Sequence, residues 1–365
     1  MPEKTHPKPK PEPNAARTAL IARIGQEGQI SVAEYMAVAA AHYYAGRDPF
    51  GVKGDFTTAP EISQMYGEML GAWLIDAWMQ LGKPEAAQLI ELGPGRGTLA
   101  ADIMRTISTW PDCKAALSLH LVETSPLLRQ QQSDVLKDFN PTWHEKVEDV
   151  PDGIGFIIAN EFFDALPIRQ FEKIKGKWHE RFVGYEAEKD KFFFIAEPCN
   201  GADLPDAPDG SVFETSPASF AVLEEMSRRI EKHGGAALIV DYGHIHAGFG
   251  DTLQTLRRHK FSPVLDSPGG DDITAHVDFN AFRIAAESRL QIHGPVEQGA
   301  FLTGLGIMQR AEAMRAKAND KQRKDIDLAL HRLVVPTEMG QLFKVLGLTQ
   351  KGSTIRPAGF GEDVT

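Results

Sequence analysis

The chain has 365 residues, of which 42% are hydrophobic and 24% charged, a composition typical of a globular protein with one large core or two moderate ones. Its 50 acidic and 39 basic residues give a formal charge of −11, which disfavours nucleic acid as a substrate because phosphates would be repelled. No apolar run approaches the ~18 consecutive residues of a membrane-spanning helix, so we expect no membrane span.

The N-terminal segment and the cysteines indicate where the protein works. Residues 1–14 contain five prolines and no apolar segment, which predicts a disordered tail and not a targeting peptide. Cys113 and Cys199 are too few for a disulfide framework or a cysteine-ligated zinc site. Because free thiols fit a reducing compartment, we expect a cytoplasmic protein.

Helical patterns dominate residues 15–85. We expect two helices at 15–25 and 31–45, and a long helix at 61–81 whose methionines and tryptophans recur at helical spacing. Such a stripe is more typical of a core than of a cofactor site. The segment 47–61 has no periodicity and is longer than most connections, which predicts a loop that contacts substrate or cofactor.

A glycine-rich turn follows the first predicted strand. The apolar residues of 89–92 indicate a short buried strand, and Gly93, Gly95 and Gly97 then allow the backbone to approach a ligand closely. A helix is expected from Thr98. This arrangement binds nucleotide-like cofactors, although the third glycine comes one residue earlier than in the dinucleotide fingerprint.

Acidic or amide residues end several of the later strands. The strand at 117–122 ends at Glu123, where nucleotide-binding α/β folds place an acid on the ribose hydroxyls. A weaker strand is expected at 142–144. The strand at 155–160 ends in Asn160 and Glu161, at the sheet edge where substrates of open parallel sheets bind.

The remaining patterns complete the sheet. Residues 168–198 switch to a period of two, which predicts an inserted antiparallel meander, and 234–243 reads as a fifth parallel strand. Strands are also expected at 290–296 and 343–348, with a helical hairpin at 311–333. The alternation of strands and helices predicts a doubly wound, mostly parallel α/β sheet.

The segment Asp272–Asp278 contains two aspartates and His276. A metal site is not favoured, because no third cluster of ligands converges with it in the sequence. His276 could instead lie near the substrate as a proton acceptor, or it could simply form a hydrogen bond within its loop.

The residues from Glu91 to Thr98, together with Glu123, resemble the cofactor half of a class I S-adenosylmethionine-dependent methyltransferase. A narrower resemblance, over residues 15–350, is to the MidA-like family, which includes a mitochondrial complex I assembly factor that is a protein arginine methyltransferase. The blocks that carry it are 54–61, 160–167, 241–243, 272–279 and 298–302.

The resemblance implies a seven-stranded class I methyltransferase sheet and S-adenosyl-L-methionine as the cofactor. The residues expected to bind the cofactor are Glu91, Gly93, Gly95, Gly97, Glu123, Asn160, Thr58 and Pro60. Those expected to act on the acceptor are Glu161, Asp164, Asp55 and His276, with Glu61 in support. Glu161 is the first choice for binding the guanidinium, while Asp164 and Glu61 could equally serve helix termini.

The implied partner is a protein, a subunit of the respiratory NADH dehydrogenase (complex I). The oligomeric state is not predicted. The implied division of the chain is a tail at 1–14, an N-terminal helical region at 15–85, a class I methyltransferase domain at 86–350 with insertions at 168–215 and 306–335, and a tail at 351–365. A small-molecule methyltransferase and an assembly factor that binds cofactor without transferring methyl groups are the alternatives.

Overall fold

The structure is a computed structural model that describes residues 14–46, 58–199, 204–257 and 260–361. The helices are α1 (Ala15–Glu27), α2 (Val32–Gly46), α3 (Ala59–Ile62), α4 (Gln64–Gln80), α5 (Thr98–Ile107), α6 (Pro111–Ala116), α7 (Pro126–Val135), α8 (Pro217–His233), α9 (Phe279–Ala286), α10 (Gln298–Gly304), α11 (Ile307–Arg315) and α12 (Asp320–Val334). Within these described ranges, none of the helices is long and apolar enough to cross a membrane.

The strands form three sheets. They are β1 (Ile30–Ser31), β2 (Ala87–Leu92), β3 (Leu117–Val122), β4 (Thr142–His144), β5 (Gly155–Asn160), β6 (Arg169–Ile174), β7 (Lys177–Glu186), β8 (Lys191–Pro198), β9 (Val212–Thr215), β10 (Gly235–His244), β11 (Gln254–Arg257), β12 (Lys260–Ser262), β13 (Asp272–Thr274), β14 (Val277–Asp278), β15 (Leu290–Glu297) and β16 (Phe343–Gln350).

The central sheet positions the candidate site. Its seven main strands have the order β15-β16-β10-β5-β2-β3-β4, and the two-residue strand β14 pairs with the end of β10. Strands β10, β5, β2, β3 and β4 are parallel, whereas β16 is antiparallel to both of its neighbours. The chain runs outward from β2 to β4 and then returns to β5 on the other side of β2. This reversal places a ligand crevice at the carboxyl ends of β2 and β5. The predicted doubly wound, mostly parallel α/β fold is confirmed.

Helices cover both faces of the central sheet, which explains why its strands are continuous apolar runs. All six residues of β2 are buried. Leu89 contacts the core that β2 shares with α4 and α5, while Ile90 and Leu92 contact the core shared with α8 and α9. Trp73 and Trp78 of α4 lie in the first of these cores, as their spacing in the sequence predicts.

The N-terminal helices pack on a second, antiparallel sheet. Its order is β1-β7-β6-β9, with β8 paired to β7. Helices α1 and α2 bury Leu20, Ile24 and Met36 against Val183 and Phe192 of this sheet. The period-two pattern of residues 168–198 therefore corresponds to an observed meander.

The predicted helical hairpin is formed by α11 and α12. Asn319 caps α12 by accepting a hydrogen bond of 2.9 Å from the Gln322 N–H, and it lies between the two helices of the hairpin. Arg310 of α11 donates two hydrogen bonds of 2.7 and 2.8 Å to Glu68 of α4. This ion pair connects the hairpin to the helical layer on the sheet.

The structure departs from the sequence prediction in several short elements. The helix expected at 61–81 is interrupted, because Ser63 is extended (φ −164°, ψ 138°) and its side chain accepts a hydrogen bond from the Met65 N–H. Helix α3 precedes this break and α4 follows it. Helices α6 and α9 and the three-stranded sheet β12-β11-β13 were not predicted, since such short elements show little periodicity.

Two glycines provide a test of this packing. A Cβ at Gly67 of α4 would overlap with the Cβ of Asp102 on α5, whereas a Cβ at Gly25 of α1 would meet nothing. We expect Gly67→Ala to lower the free energy of unfolding by about 1–3 kcal/mol through overpacking. Gly25→Ala should raise it by about 0.5–1 kcal/mol, because alanine is the better helix former. Urea unfolding measures both, and equal effects would contradict the close approach of α4 and α5.

Candidate active site

A cavity of about 1480 Å³ lies at the carboxyl ends of the parallel strands. Its walls come from the turns after β2, β3 and β5, from α2 and α3, and from residues after α12. Nine of the described residues that line it are acidic, and three, Arg96, Lys146 and Arg332, are arginine or lysine. Because the acidic residues outnumber the basic ones, this cavity favours a cationic ligand.

The glycine turn forms one wall of the cavity. Gly93, Gly95 and Gly97 have φ values of 61°, 53° and 82°, a region that residues with a Cβ rarely adopt. A Cβ at Gly93 would also lie 2.8 Å from Phe162. Gly97 caps the start of α5 and faces Leu136 and Gln132 of the α7 region instead of the cavity. Gly93 and Gly95 line the cavity itself.

Glu91 is a buried carboxylate at the end of β2. It is 3% exposed and lines the cavity, and its Oε2 atom accepts no hydrogen bond from the described residues. Burial raises the pKa of Glu91 to about 8, although the Ala100 N–H partly opposes this effect. A buried acceptor without a donor is costly, so a cationic ligand group here would satisfy it.

Glu123, at the end of β3, is held by its neighbours. Its Oε1 accepts a hydrogen bond of 2.7 Å from the Ser125 N–H, and its Oε2 accepts one of 3.2 Å from Gln132 Nε2. Gln132 is fully buried and also donates to the Gly95 carbonyl at 2.7 Å. Burial raises the pKa of Glu123. Gln132 thus connects the glycine turn to the second acid.

Residues 58–61 contact both sides of the cavity. Thr58, Pro60 and Glu61 line it. Glu61 accepts hydrogen bonds from Thr98 Oγ1 at 2.6 Å and from Arg96 Nη1 at 3.3 Å, so it supports the glycine turn. Asp55, predicted to act on the acceptor, lies outside the described residues.

Glu161 is the first residue after β5 and begins the turn that follows this strand. It is a non-glycine residue with a φ of 51°. Its Oε1 accepts hydrogen bonds from the Ala59 N–H at 2.9 Å and from Asn160 Nδ2 at 3.2 Å. Burial and the charge of the nearby Asp241 together raise the pKa of Glu161 to about 8, and the hydrogen bonds from Ala59 and Asn160 partly oppose them. Its Oε2 accepts no hydrogen bond from any described residue and is available to a ligand.

Asp241 of β10 organises the turn that carries Glu161. Its Oδ2 accepts hydrogen bonds from the backbone N–H groups of Phe162 (3.1 Å), Phe163 (2.9 Å) and Asp164 (3.2 Å). Its side chain is fully buried, and this burial raises the pKa of Asp241 to about 7. Asp241 therefore has a structural task that the sequence did not predict.

Two further acids lie near Glu161. Asp164 and Asp272 line the cavity and are 9% and 5% exposed. Burial raises the pKa of Asp164 well above its usual range, and the charges of Asp241 and Asp272 add to this effect. Tyr44 of α2 donates a hydrogen bond of 3.2 Å to Asp272 Oδ1. Helix α2 thereby closes one side of the cavity.

His276 also lines the cavity. Its ring packs edge to face on Tyr242 with a centroid distance of 4.8 Å, and the backbone N–H of His276 donates to Thr252 Oγ1 at 2.9 Å. Burial lowers the pKa of His276, which favours the neutral imidazole. Asp278, by contrast, caps α9 by accepting a hydrogen bond from the Ala281 N–H. The two aspartates of this segment therefore have different tasks.

The structure brings most of the predicted residues together. Glu91, Gly93, Gly95, Glu123, Asn160, Thr58, Pro60, Glu161, Asp164 and His276 all line one cavity. Sequence reasoning did not select Tyr44, Tyr66, Gln132, Tyr242 or Asp272 as site residues. Tyr242 and Asp272 lie in the blocks that carry the family resemblance, which was the available signal for them.

The described residues fit S-adenosylmethionine. The unpartnered Glu91 oxygen matches the ammonium of a methionyl group, and Glu123 lies at the neighbouring strand end where a ribose diol binds. The glycines at 93 and 95 leave room for the backbone to approach the ligand. The lack of a phosphate in this cofactor is consistent with the shorter glycine spacing.

Comparisons with known proteins agree with this fit. Residues 69–296 match a family described as S-adenosyl-L-methionine-dependent methyltransferase. The chain is 37% identical to protein arginine methyltransferase NDUFAF7, mitochondrial, of Xenopus laevis, over 93% of this chain and 85% of the relative. It is 38% identical to the Homo sapiens protein of the same name, over 90% of this chain and 82% of the relative.

A solved structure is similar as well. It is a crystal structure of a protein from Burkholderia thailandensis bound to S-adenosyl-homocysteine, with a TM-score of 0.80, 26% identity and 95% of each chain covered. Fold, cofactor and enzyme class therefore agree with the resemblance found in the sequence. This chain belongs to the family of S-adenosyl-L-methionine-dependent methyltransferases that includes the mitochondrial protein arginine methyltransferases.

Proposed function

We propose that this methyltransferase modifies an arginine side chain of a protein. The names of the relatives support arginine as the acceptor. The observation that carries the proposal is the Glu161 carboxylate on the cavity wall, whose Oε2 is free of hydrogen bonds from the described residues. A guanidinium is cationic and offers several N–H donors, so it would donate a hydrogen bond to the Oε2 atom of Glu161.

The proposed substrate is a subunit of the respiratory NADH dehydrogenase, and methylation would support its assembly. This choice rests on the family resemblance of the sequence blocks. The relatives carry mitochondrial names, while the cytoplasmic location of this chain stays a prediction from its cysteine content. The net charge of −11 supports a protein substrate over a nucleic acid.

On the cofactor side, S-adenosylmethionine supplies an electrophilic methyl group on a sulfonium centre. Glu91 would bind the methionyl ammonium and Glu123 the ribose hydroxyls. Gly93 and Gly95 would allow close backbone contact, with Thr58, Pro60 and Asn160 closing the cavity around the reacting groups. Gly97 would act through the start of α5, because it faces α7. Exclusion of water and alignment of the two reactants are then the main contributions to rate.

On the acceptor side, carboxylates would bind the guanidinium and take up a proton. As the nitrogen–methyl bond forms, the sulfur–methyl bond would break, S-adenosylhomocysteine would leave, and one proton must be lost from the attacking nitrogen. Burial raises the pKa of both Glu161 and Asp164, so each would be a stronger base once it is ionised and would retain a proton taken from the nitrogen. Asp55 and the neutral His276 are further candidates for binding the acceptor or relaying this proton.

Intact-mass analysis tests the function. NADH dehydrogenase purified from cells with and without this protein should differ by one or two methyl substitutions on an arginine of one subunit. An unchanged mass, together with labelled methyl groups in a small metabolite, would support a small-molecule methyltransferase. An unchanged mass, with no labelled methyl group transferred to any molecule, would support an assembly factor that binds the cofactor without catalysis.

Replacing Glu161 separates catalysis from cofactor binding. We expect Glu161→Gln to lower kcat for an arginine peptide by about 10²-fold or more, because the neutral amide neither pairs with the guanidinium nor accepts its proton. The affinity for S-adenosylhomocysteine, measured by calorimetry, should stay near that of the wild type. Glu186→Gln, at the half-buried end of β7 and outside the cavity lining, is a control that should change neither quantity. A large loss of cofactor affinity in Glu161→Gln would assign Glu161 to the cofactor side.

Glu91 should make cofactor binding dependent on pH. Because burial raises its pKa to about 8, the carboxyl must lose a proton before it pairs with an ammonium. Affinity for S-adenosylhomocysteine should therefore rise between about pH 6 and 8 and level off as the pH passes the raised pKa. Calorimetry at pH 7 in two buffers with different ionisation enthalpies should detect proton release.

The variant Glu91→Gln should lose this proton release and bind about tenfold more weakly, in line with the loss of a charge-assisted hydrogen bond. Glu145→Gln, at the exposed rim of the cavity, is the matched control and should retain the release. Proton release that persists in Glu91→Gln would show that another group titrates.

A further inference from the structure

Tyr66 lies below the acceptor side of the cavity. It belongs to α4, is 1% exposed, and donates its hydroxyl hydrogen to Asn160 Oδ1 at 2.5 Å. Burial raises the pKa of Tyr66 well above its usual range, and the charges of Glu161, Asp241 and Glu91 add to this effect. The phenol therefore stays protonated and acts as a hydrogen-bond donor.

This donor selects one orientation of the Asn160 amide. With Oδ1 facing the tyrosine, Nδ2 faces Glu161 Oε1 at 3.2 Å and donates to it. In the opposite orientation, Oδ1 would face the carboxylate, and two acceptors would oppose each other. The hydroxyl of Tyr66 thus keeps a hydrogen-bond donor pointed at Glu161.

The charged groups around Glu161 show why this donor matters. Asp241 of β10 opposes ionisation of Glu161, whereas Arg332 of α12 and the Ala59 N–H of α3 favour it. The charge of Glu161 in turn disfavours the ionised form of Asp164 in the same turn. A carboxylate in such acidic surroundings depends on fixed N–H donors for its charge and orientation.

We propose that Tyr66 is a positioning residue for methyl transfer: through Asn160 it orients the Glu161 carboxylate toward the acceptor and favours its ionised form. The role of Glu161 in methyl transfer rests on the proposed function. The chain Tyr66–Asn160–Glu161 itself rests on the hydrogen bonds of described residues. Asn160 would then serve the acceptor side in addition to the cofactor side predicted from the sequence.

The direct test measures the titration of Glu161. Protein labelled with ¹³C at the glutamate carboxyl carbon is titrated by NMR, and the Glu161 signal is assigned by its loss in Glu161→Gln. The variant is Tyr66→Phe, which removes only the hydroxyl. The matched control is Tyr35→Phe, because Tyr35 is also fully buried and donates to the Val264 carbonyl at 3.0 Å, away from the cavity.

Without the hydroxyl, Asn160 can rotate and its donor to the carboxylate is lost. The pKa of Glu161 should then rise by about one unit in Tyr66→Phe. It should stay unchanged in Tyr35→Phe. An equal pKa in wild type and Tyr66→Phe would overturn the proposal. Asn160→Ala offers a second route, since it should raise the same pKa and make a further Tyr66→Phe change without effect.

Steady-state kinetics measure the effect of Tyr66 on methyl transfer. For an arginine peptide, kcat of Tyr66→Phe should fall about tenfold at pH 7, and the deficit should shrink at higher pH as Glu161 ionises. Affinity for S-adenosylhomocysteine should stay unchanged. A deficit that is the same at every pH would contradict an effect on ionisation. If the wild type methylates no arginine peptide, the proposed function fails, whereas the carbon titration still decides whether Tyr66 positions Glu161.

Discussion

The acceptor side of the site depends on one buried carboxylate, that of Asp241. It accepts hydrogen bonds from three successive backbone N–H groups at 162–164, each of which would cost about 1–3 kcal/mol if left unpaired. The parallel pairing of β5 and β10 places Val240 opposite Asn160. This register brings the carboxylate of Asp241, the residue after Val240, beside the three N–H groups that follow Glu161. The position of Glu161 follows from this register.

A second constraint comes from α3, which joins the two sides of the cavity. The Glu61 carboxylate binds Arg96 and Thr98 at the glycine turn, while the Ala59 N–H binds Glu161. Two residues of this one-turn helix, Ala59 and Glu61, thus fix the turn that would hold the methyl donor relative to the carboxylate that would hold the acceptor. Because methyl transfer requires close alignment of the reacting atoms, this short helix has a direct bearing on rate.

The sequence predicts what depends on local patterns. Strand and helix periodicity indicates the doubly wound sheet, and the polar residues at the ends of β2, β3 and β5 indicate the site, because the carboxyl ends of parallel strands share one edge. The partners of these residues could not be predicted. Tyr66 and Asn160 are 94 positions apart, and their contact depends on how α4 packs on the sheet. Short elements such as α3 and α6 also escape prediction, since they span too few turns to show a period.

The left-handed backbone of Glu161 has an evolutionary consequence. Its φ of 51° is strained for a residue with a Cβ, and such strain costs of the order of 1 kcal/mol. Selection for stability alone would favour glycine or asparagine at this position. A descendant that kept the fold but lost the need for methyl transfer would therefore be expected to drift toward those residues. Under the proposed role of Glu161 in methyl transfer, the identity of residue 161 would distinguish active from inactive members of a lineage.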